Sequence, residues 1–311
     1  MGRKASIVAQ RVDRTLTKLS RGVLLFVDAQ DRIIAIFAGR PKGEDWDQVI
    51  NGMVAAFEEA RKQTPVMNDG RGEFSRLQSG YSYGGGQTVC NSTFMLGDYG
   101  LSQSQEPRNI ANSHQAVVDE LLRDKNVRWV AGFQNNAFSR YAPKLYQQYT
   151  RTVNALRDHD PKLFQCFPES VFPSVTFNLG PQTVCAMHVD NKNVAYGLCS
   201  ITSAGTYNPA LGGHTILWQL KRVVQFPPGC TIYIPSATIA HGNTPIGEGE
   251  TRYSLTQYCA GSLMCWVAAA FRTKTSLDKE SRKHLDADNQ KRHMEGLDSY
   301  SKVAELFPGY G

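Results

Sequence analysis

Cys185-Ala186-Met187-His188-Val189-Asp190-Asn191 opens the stretch that decides this fold, which runs on through Thr231-Ile232-Tyr233-Ile234 and Ala240-His241-Gly242-Asn243 to Arg252-Tyr253-Ser254. Alternate residues of a strand point to one side, so an extended run from Cys185 to Asp190 puts His188 and Asp190 on a common face. His241 follows a short β-branched and aromatic run bounded by Pro227-Pro228-Gly229 and Pro235, the pattern of a strand between turns. Two imidazoles and one carboxylate on one side of a metal leave three coordination positions open, the arrangement that non-haem Fe(II) oxygenases use. Those positions could take a cosubstrate and O₂.

Working outward, Ser174-Val175-Thr176-Phe177-Asn178-Leu179 alternates polar and apolar, as a half-buried strand does. In Arg252-Tyr253-Ser254-Leu255-Thr256-Gln257-Tyr258 the same alternation puts Arg252, Ser254, Thr256 and Tyr258 on one face. A guanidinium fork matches the two oxygens of a carboxylate, so Arg252 beside Ser254 suits the grip of an organic acid. The metal ligands would also suit zinc, but a zinc hydrolase gives no reason for Arg252 and Ser254.

The order His188-x-Asp190-Asn191, Gly212-Gly213-His214-Thr215-Ile216-Leu217-Trp218-Gln219-Leu220, Val223-Val224-Gln225-Phe226-Pro227-Pro228-Gly229, His241 and Arg252-x-Ser254 resembles the 2-oxoglutarate and Fe(II) dependent dioxygenases. Within them it is most similar to the TET/JBP branch, which oxidises methyl groups on nucleic-acid bases. The resemblance spans roughly Phe172 to Ala260. It implies an α+β fold with a double-stranded β-helix (jelly-roll) core buttressed by helices. It implies Fe(II) held by His188, Asp190 and His241, and 2-oxoglutarate held by Arg252 with Ser254 beside it. Asn178 matches a polar position near the cosubstrate in relatives. The reaction implied is oxidative decarboxylation to succinate coupled to hydroxylation of a C–H bond.

One departure bears on substrate. Members that act on 5-methylcytosine commonly carry a histidine eight residues after the cosubstrate arginine, and here that position is Ala260. The altered pocket leaves 5-methylcytosine and N6-methyladenine both open. Asn191 and Asn193, just after the carboxylate ligand, are candidates for supplying the missing donor, against the alternative that they form a turn capping its own backbone.

At 311 residues and 41% hydrophobic content, the chain can bury one enlarged globular domain. We expect a single dioxygenase domain, with residues 1–165 as buttress and substrate loops, 166–270 as catalytic core and 271–311 as a helical extension. The seven cysteines, Cys90, Cys166, Cys185, Cys199, Cys230, Cys259 and Cys265, show no Cys-x-x-Cys pairing, which argues for reduced thiols inside a cell. Neither a signal peptide nor an apolar run of about 18 residues is evident, so no membrane partner is expected. The resemblance points to a monomer acting on methylated duplex DNA in the nucleus.

The net charge of +6 gathers at one end, with Arg3, Lys4, Arg11, Arg14, Lys18 and Arg21 against Asp13 alone. On a helix, Arg11, Arg14, Lys18 and Arg21 form one stripe and Val8, Val12, Leu16 and Leu19 another, so a basic face could meet phosphates. Next come a hairpin over Gly22–Val27 and Ile33–Phe37 and a helix over Glu44–Gln63, with Val49, Met53, Ala56 and Phe57 on one face. Ser79-Gly80-Tyr81-Ser82-Tyr83-Gly84-Gly85-Gly86-Gln87 reads as a glycine-rich loop without the Lys-Ser/Thr ending of a P-loop. Tyr81 and Tyr83 could stack on a base there, with Arg71 and Arg76 adding phosphate contacts.

Helices are expected over Ser113–Arg123, Lys144–Arg157 and Ser281–Glu295. Val127-Arg128-Trp129-Val130 is too short to type, and Gln134-Asn135-Asn136 reads as a loop turn whose amides could also meet base edges. His214 fits a strand histidine satisfied within the fold. Two other functions remain open from sequence: an oxygenase of the same fold acting on a protein or small molecule, and a catalytically silent nucleic-acid-binding protein.

Overall fold

A computed structural model describes residues 7–10, 22–43, 45–68, 71–83, 106–273 and 276–309; of 7–10, 285–290, 292 and 293 only the backbone is described. The sequence reading of Arg11 to Arg21 and of Gly84 to Gln87 lies outside the described residues.

The first strands are β1 (Ile7–Gln10), β2 (Val23–Val27) and β3 (Ile33–Gly39). The hairpin expected for β2 and β3 is present, and β1 runs parallel to β2. That corrects the N-terminal reading, because Ile7 to Gln10 form a strand and not the start of a helix. Pairing with a strand remote in the chain overrides a local helical period there. Helix α1 (Trp46–Lys62) buries Trp46, Ile50, Met53, Phe57 and Ala60, a stripe turned slightly from the expected one. Two short strands, β4 (Met67–Asn68) and β5 (Glu73–Phe74), pair with each other.

Strand β6 (Arg76–Tyr83) replaces most of the expected glycine-rich loop, and β7 (Pro107–Asn109) pairs with it. Three helices follow: α2 (Gln115–Arg123), α3 (Lys125–Tyr141) and α4 (Pro143–His159). Asp124 caps α3 by accepting from the N–H groups of Asn126 and Val127 at 2.8 and 3.0 Å. Then come β8 (Ser174–Asn178), β9 (Cys199–Ala204), β10 (Thr215–Leu217), β11 (Arg222–Val224), β12 (Thr231–Ile234), β13 (His241–Asn243) and β14 (Tyr253–Tyr258). The chain closes with α5 (Gly261–Ala268), α6 (Lys279–Asp298) and α7 (Val303–Leu306).

The strands make a mixed α and antiparallel β structure. A large sheet runs β1-β2-β3-β12-β9-β14-β8-β6-β7, antiparallel except at β1–β2, and a small one runs β11-β10-β13. Period-two alternation divides the large sheet into two working sides. Leu77, Val175, Phe177, Tyr253 and Leu255 face the helices, where Phe57 of α1 meets Phe177 edge-on at 5.9 Å. Burying each such aromatic ring stabilises the fold by about 2–3 kcal/mol. Their neighbours Gln78, Thr176, Asn178, Ser254 and Thr256 face a cavity on the other side.

Gly80 sits in β6 with φ +101°, and a Cβ there would lie 2.0 Å from the Pro173 carbonyl oxygen. Only glycine lets the two backbones approach so closely. Among the described residues no helix is long and apolar enough to cross a membrane.

Candidate metal centre and its cavity

His188 and His241 meet across an antiparallel bridge in which each backbone N–H donates to the other's carbonyl, at 3.0 and 2.9 Å. The bridge extends the small sheet beside β13 and sets the two rings 4.3 Å apart, centroid to centroid. Each Nδ1 lies within hydrogen-bond reach of the carbonyl two residues upstream: Ala186 at 2.8 Å for His188, Ile239 at 2.9 Å for His241. An Nδ1–H held in this way leaves Nε2 as the lone-pair nitrogen.

Asp190 completes the set, with Oδ1 3.8 Å from Nε2 of His188 and Oδ2 3.8 Å from Nε2 of His241. One donor atom from each side chain lies within 4.8 Å of the others. Burial pushes the His241 imidazole below its ordinary 6.5, against an upward pull from Asp190. A neutral ring is the form that binds a metal. Two nitrogens and one carboxylate, with no fourth protein ligand among the described residues, fit Fe(II) with an open face.

The triad opens on a cavity of about 480 Å³. Arg252 lines it and is 4% exposed; its Nη1 donates to the Thr183 carbonyl at 2.8 Å and its guanidinium lies 5.8 Å from the Phe226 ring centroid. Its Nε is buried without a hydrogen-bond partner, and no acidic side chain among the described residues pairs with it. Burying an uncompensated charge is costly, so the site is built for an anion that completes the guanidinium. Ser254 is buried beside it and accepts from Asn178 Nδ2 at 2.9 Å. A dicarboxylate such as 2-oxoglutarate fits these groups.

No protein-family model matches the sequence, and no curated protein matches it. The chain is similar in structure to NgTET1 in complex with 5mC DNA, at 14% identity and TM-score 0.51, over 94% of this chain and 91% of that one. It also matches a 2OG-Fe(II) oxygenase family oxidoreductase from Burkholderia pseudomallei, at 13% identity and TM-score 0.35, over 71% of this chain and 93% of that one. At such identities the likeness is one of fold, and the first of the two carries it.

The structure brings His188, Asp190, His241, Arg252, Ser254 and Asn178 to one cavity, but the strand expected from Cys185 to Asp190 is absent. That segment is irregular and held by the single bridge at His188, because its ligands are set by pairing with His241 and not by a continuous ladder. Asn191 and Asn193 also line it, though Asn193 has its amide on Ser236 Oγ at 3.1 Å and its N–H on the Asp190 carbonyl at 2.9 Å. Arg71, Arg76 and Tyr83 reach the same space, and Tyr83 packs on Trp266 at 6.0 Å. Desolvation lowers the pKa of Arg76.

Tyr81 does not join them. It is fully buried on the helix side of β6, with its hydroxyl 3.3 Å from Gln165 Oε1, so it cannot stack on a base. Gln134 and Asn135 are likewise corrected from loop to helix α3. Gln134 donates inward to Thr202 Oγ1 and the Leu255 carbonyl at 2.8 and 2.9 Å, and Asn135 accepts from the Val171 N–H at 3.1 Å. These amides satisfy the sheet rather than face a ligand. His214 places Nε2 2.9 Å from the Pro209 carbonyl and stands apart from the triad.

The sequence reading missed Gln78, whose amide lines the cavity and lies 3.4 Å from Thr176 Oγ1. Treating Arg76 to Tyr83 as a strand would have found it, since Arg76 and Gln78 then share a face.

Proposed function

We propose that this chain is an Fe(II)- and 2-oxoglutarate-dependent dioxygenase that oxidises the methyl group of a methylated base in DNA. The observation that carries the reading is one cavity holding both an open three-ligand metal set and a buried arginine that lacks an acidic partner. In this reading the strands from β8 to β14 form a double-stranded β-helix. Residues 166–270 are its catalytic core, 1–165 its buttress and 271–311 a helical extension.

His188, Asp190 and His241 would hold the iron, and Arg252 with Ser254 would hold the distal carboxylate of the cosubstrate. When bound, the iron would let dioxygen serve as the oxidant, one oxygen atom entering the C–H bond and the other entering succinate as 2-oxoglutarate gives up two electrons and CO₂. The chain's own part is placement. Arg252 and Ser254 orient the acid, while Ile201, Ile232 and Ile234 on the cavity wall keep water from the reacting face.

Reaching a methyl group in a duplex requires extruding the base, at a cost of a few kcal/mol. Tyr83, Asn191, Asn193 and Arg76 are the cavity residues we assign to the base and its phosphates. The small side chain of Ala260 leaves room at the wall where Asn193 bridges it. DNA is favoured over other substrates by the basic N-terminal sequence and by the fold shared with a protein seen on 5mC DNA. The reading places the protein in the nucleus as a monomer.

The test is incubation with Fe(II), 2-oxoglutarate and duplexes carrying 5-methylcytosine or N6-methyladenine, followed by mass spectrometry of the nucleosides and a succinate assay. Oxidised nucleoside with stoichiometric succinate is expected for at least one duplex. Succinate formed only with a protein or small-molecule substrate would move the chain to another member of the same chemistry. DNA binding without any consumption of 2-oxoglutarate would make it a silent binder.

A further inference from the structure

Arg71 reaches Asp190 with its guanidinium, placing Nη2 3.1 Å from Oδ1. Its backbone is committed to the same segment. The Arg71 carbonyl accepts from the Ala186 N–H at 2.8 Å, and Ala186 in turn offers its carbonyl to Nδ1 of His188. Gly72, with φ +150°, presses so close to this segment that a Cβ would lie 2.3 Å from the Val184 carbonyl oxygen. Asp190 is therefore held twice, by its N–H on the Ser236 carbonyl at 2.8 Å and by its carboxylate on Arg71.

The consequence concerns how many oxygens Asp190 can give a metal. Its two oxygens lie at equal distance from the two histidines, 3.8 Å in each case, so nothing in the triad itself decides between one-oxygen and two-oxygen ligation. A carboxylate that chelates through both leaves two positions open instead of three. A keto acid that chelates through two atoms then fills the metal, and no position is left for dioxygen.

Resting on the iron reading above, we infer that Arg71 is a positioning residue that occupies Oδ1 of Asp190, limits that carboxylate to one metal bond and so keeps the third position open. The charge-assisted bond from a guanidinium is strong enough to hold one oxygen against rotation of the carboxylate. Arg71 thus acts through Asp190, not through nucleic-acid phosphate.

The experiment uses the full chain loaded with Mn(II) and no cosubstrate. Water-proton relaxation then reports how many exchangeable waters sit on the metal. Arg71→Leu should lower the relaxivity per bound Mn(II) by about one third, as three open positions become two. Arg71→Lys, which keeps a cation beside Oδ1, should restore most of it. Thermal melts of both variants show whether the fold is kept, and a 44% exposed side chain makes that the expected result. Wild-type relaxivity in Arg71→Leu overturns the assignment, and so does a loss of duplex affinity with relaxivity unchanged, which gives Arg71 to phosphate. A wild-type chain that binds no Mn(II) instead overturns the metal reading on which it rests.

Discussion

Asn178 and Ser254 are direct cross-strand partners of β8 and β14, and the Asn178 amide donates to the Ser254 hydroxyl oxygen at 2.9 Å. Arg76 is the partner of Asn178 on its other side, so Arg76, Asn178 and Ser254 cross the cavity in one row. Because Ser254 Oγ already accepts a bond, its own proton is left to donate. That orients the hydroxyl toward an acceptor in the cavity before any ligand arrives.

Ser254→Ala should therefore raise the KM for 2-oxoglutarate by about 10-fold, the worth of one hydrogen bond to a charged group. Asn178→Ala, which only frees the hydroxyl to turn, should cost less, about 3-fold. Succinate formation against cosubstrate concentration measures both. Equal losses for the two variants would mean that Asn178 touches the cosubstrate itself.

Arg252→Lys should behave almost as badly as Arg252→Ala. An ammonium keeps the charge but loses the fork and the face that lies over Phe226. Either change should weaken cosubstrate binding by roughly 10- to 100-fold, seen as a rise in KM with Mn(II) affinity retained. A lysine variant with wild-type KM would remove the bidentate grip from the account.

Metal affinity should depend on pH with a definite sign. Burial lowers the His241 pKa from 6.5, so the neutral, ligating ring persists to lower pH than a free imidazole would. The His241 ring, followed by its NMR resonances, should protonate below pH 6.5, and Mn(II) should be lost as it does so. The same shift means that stability contributed by neutral His241 is present above the unfolded value and is lost as pH falls from there through the lower folded value. A His241 ring that titrates above pH 6.5 would contradict the direction.

Phe177→Ala tests the helix side of the same strand pair. Phe177 is fully buried against Phe57, and deleting the ring should cost about 3–5 kcal/mol. In a chain of this size each kcal/mol lowers Tm by roughly 2–4 °C. Calorimetry should show the loss, while Mn(II) affinity in the folded protein stays close to wild type.

Arg252 and Ser254 were legible together from the two-residue period of β14 and the residue before it, whereas the segment of His188 and Asp190 is not one of the strands and is held by the single His188–His241 bridge. Strand β6 was hidden by Gly80 within it and by the glycine run that follows in sequence. Gly80 looks like loop material in sequence, and its reason, the approach of Pro173, lies far along the chain. Helix α3 was hidden by polar residues on its inward face, since Gln134 and Asn135 are buried against partners that only the tertiary fold supplies. β1 pairs with a strand beyond the described break, a choice that local periodicity does not encode. Arg71 was legible as a cation but not as a partner of Asp190, because the segment it clamps is more than a hundred residues away.

The alternation of the large sheet has a consequence for how such a chain can change. Thr176, Ser254 and Thr256 can be exchanged for new ligand preferences while Val175, Tyr253 and Leu255, one residue away, go on packing against α1 and α3. Insertion or deletion of a single residue inside β8 or β14 would instead trade the two rows, sending hydroxyls under the helices and rings into the reaction space. Novelty in this scaffold can come by point replacement along the strands, and length variation is confined to the connections between them.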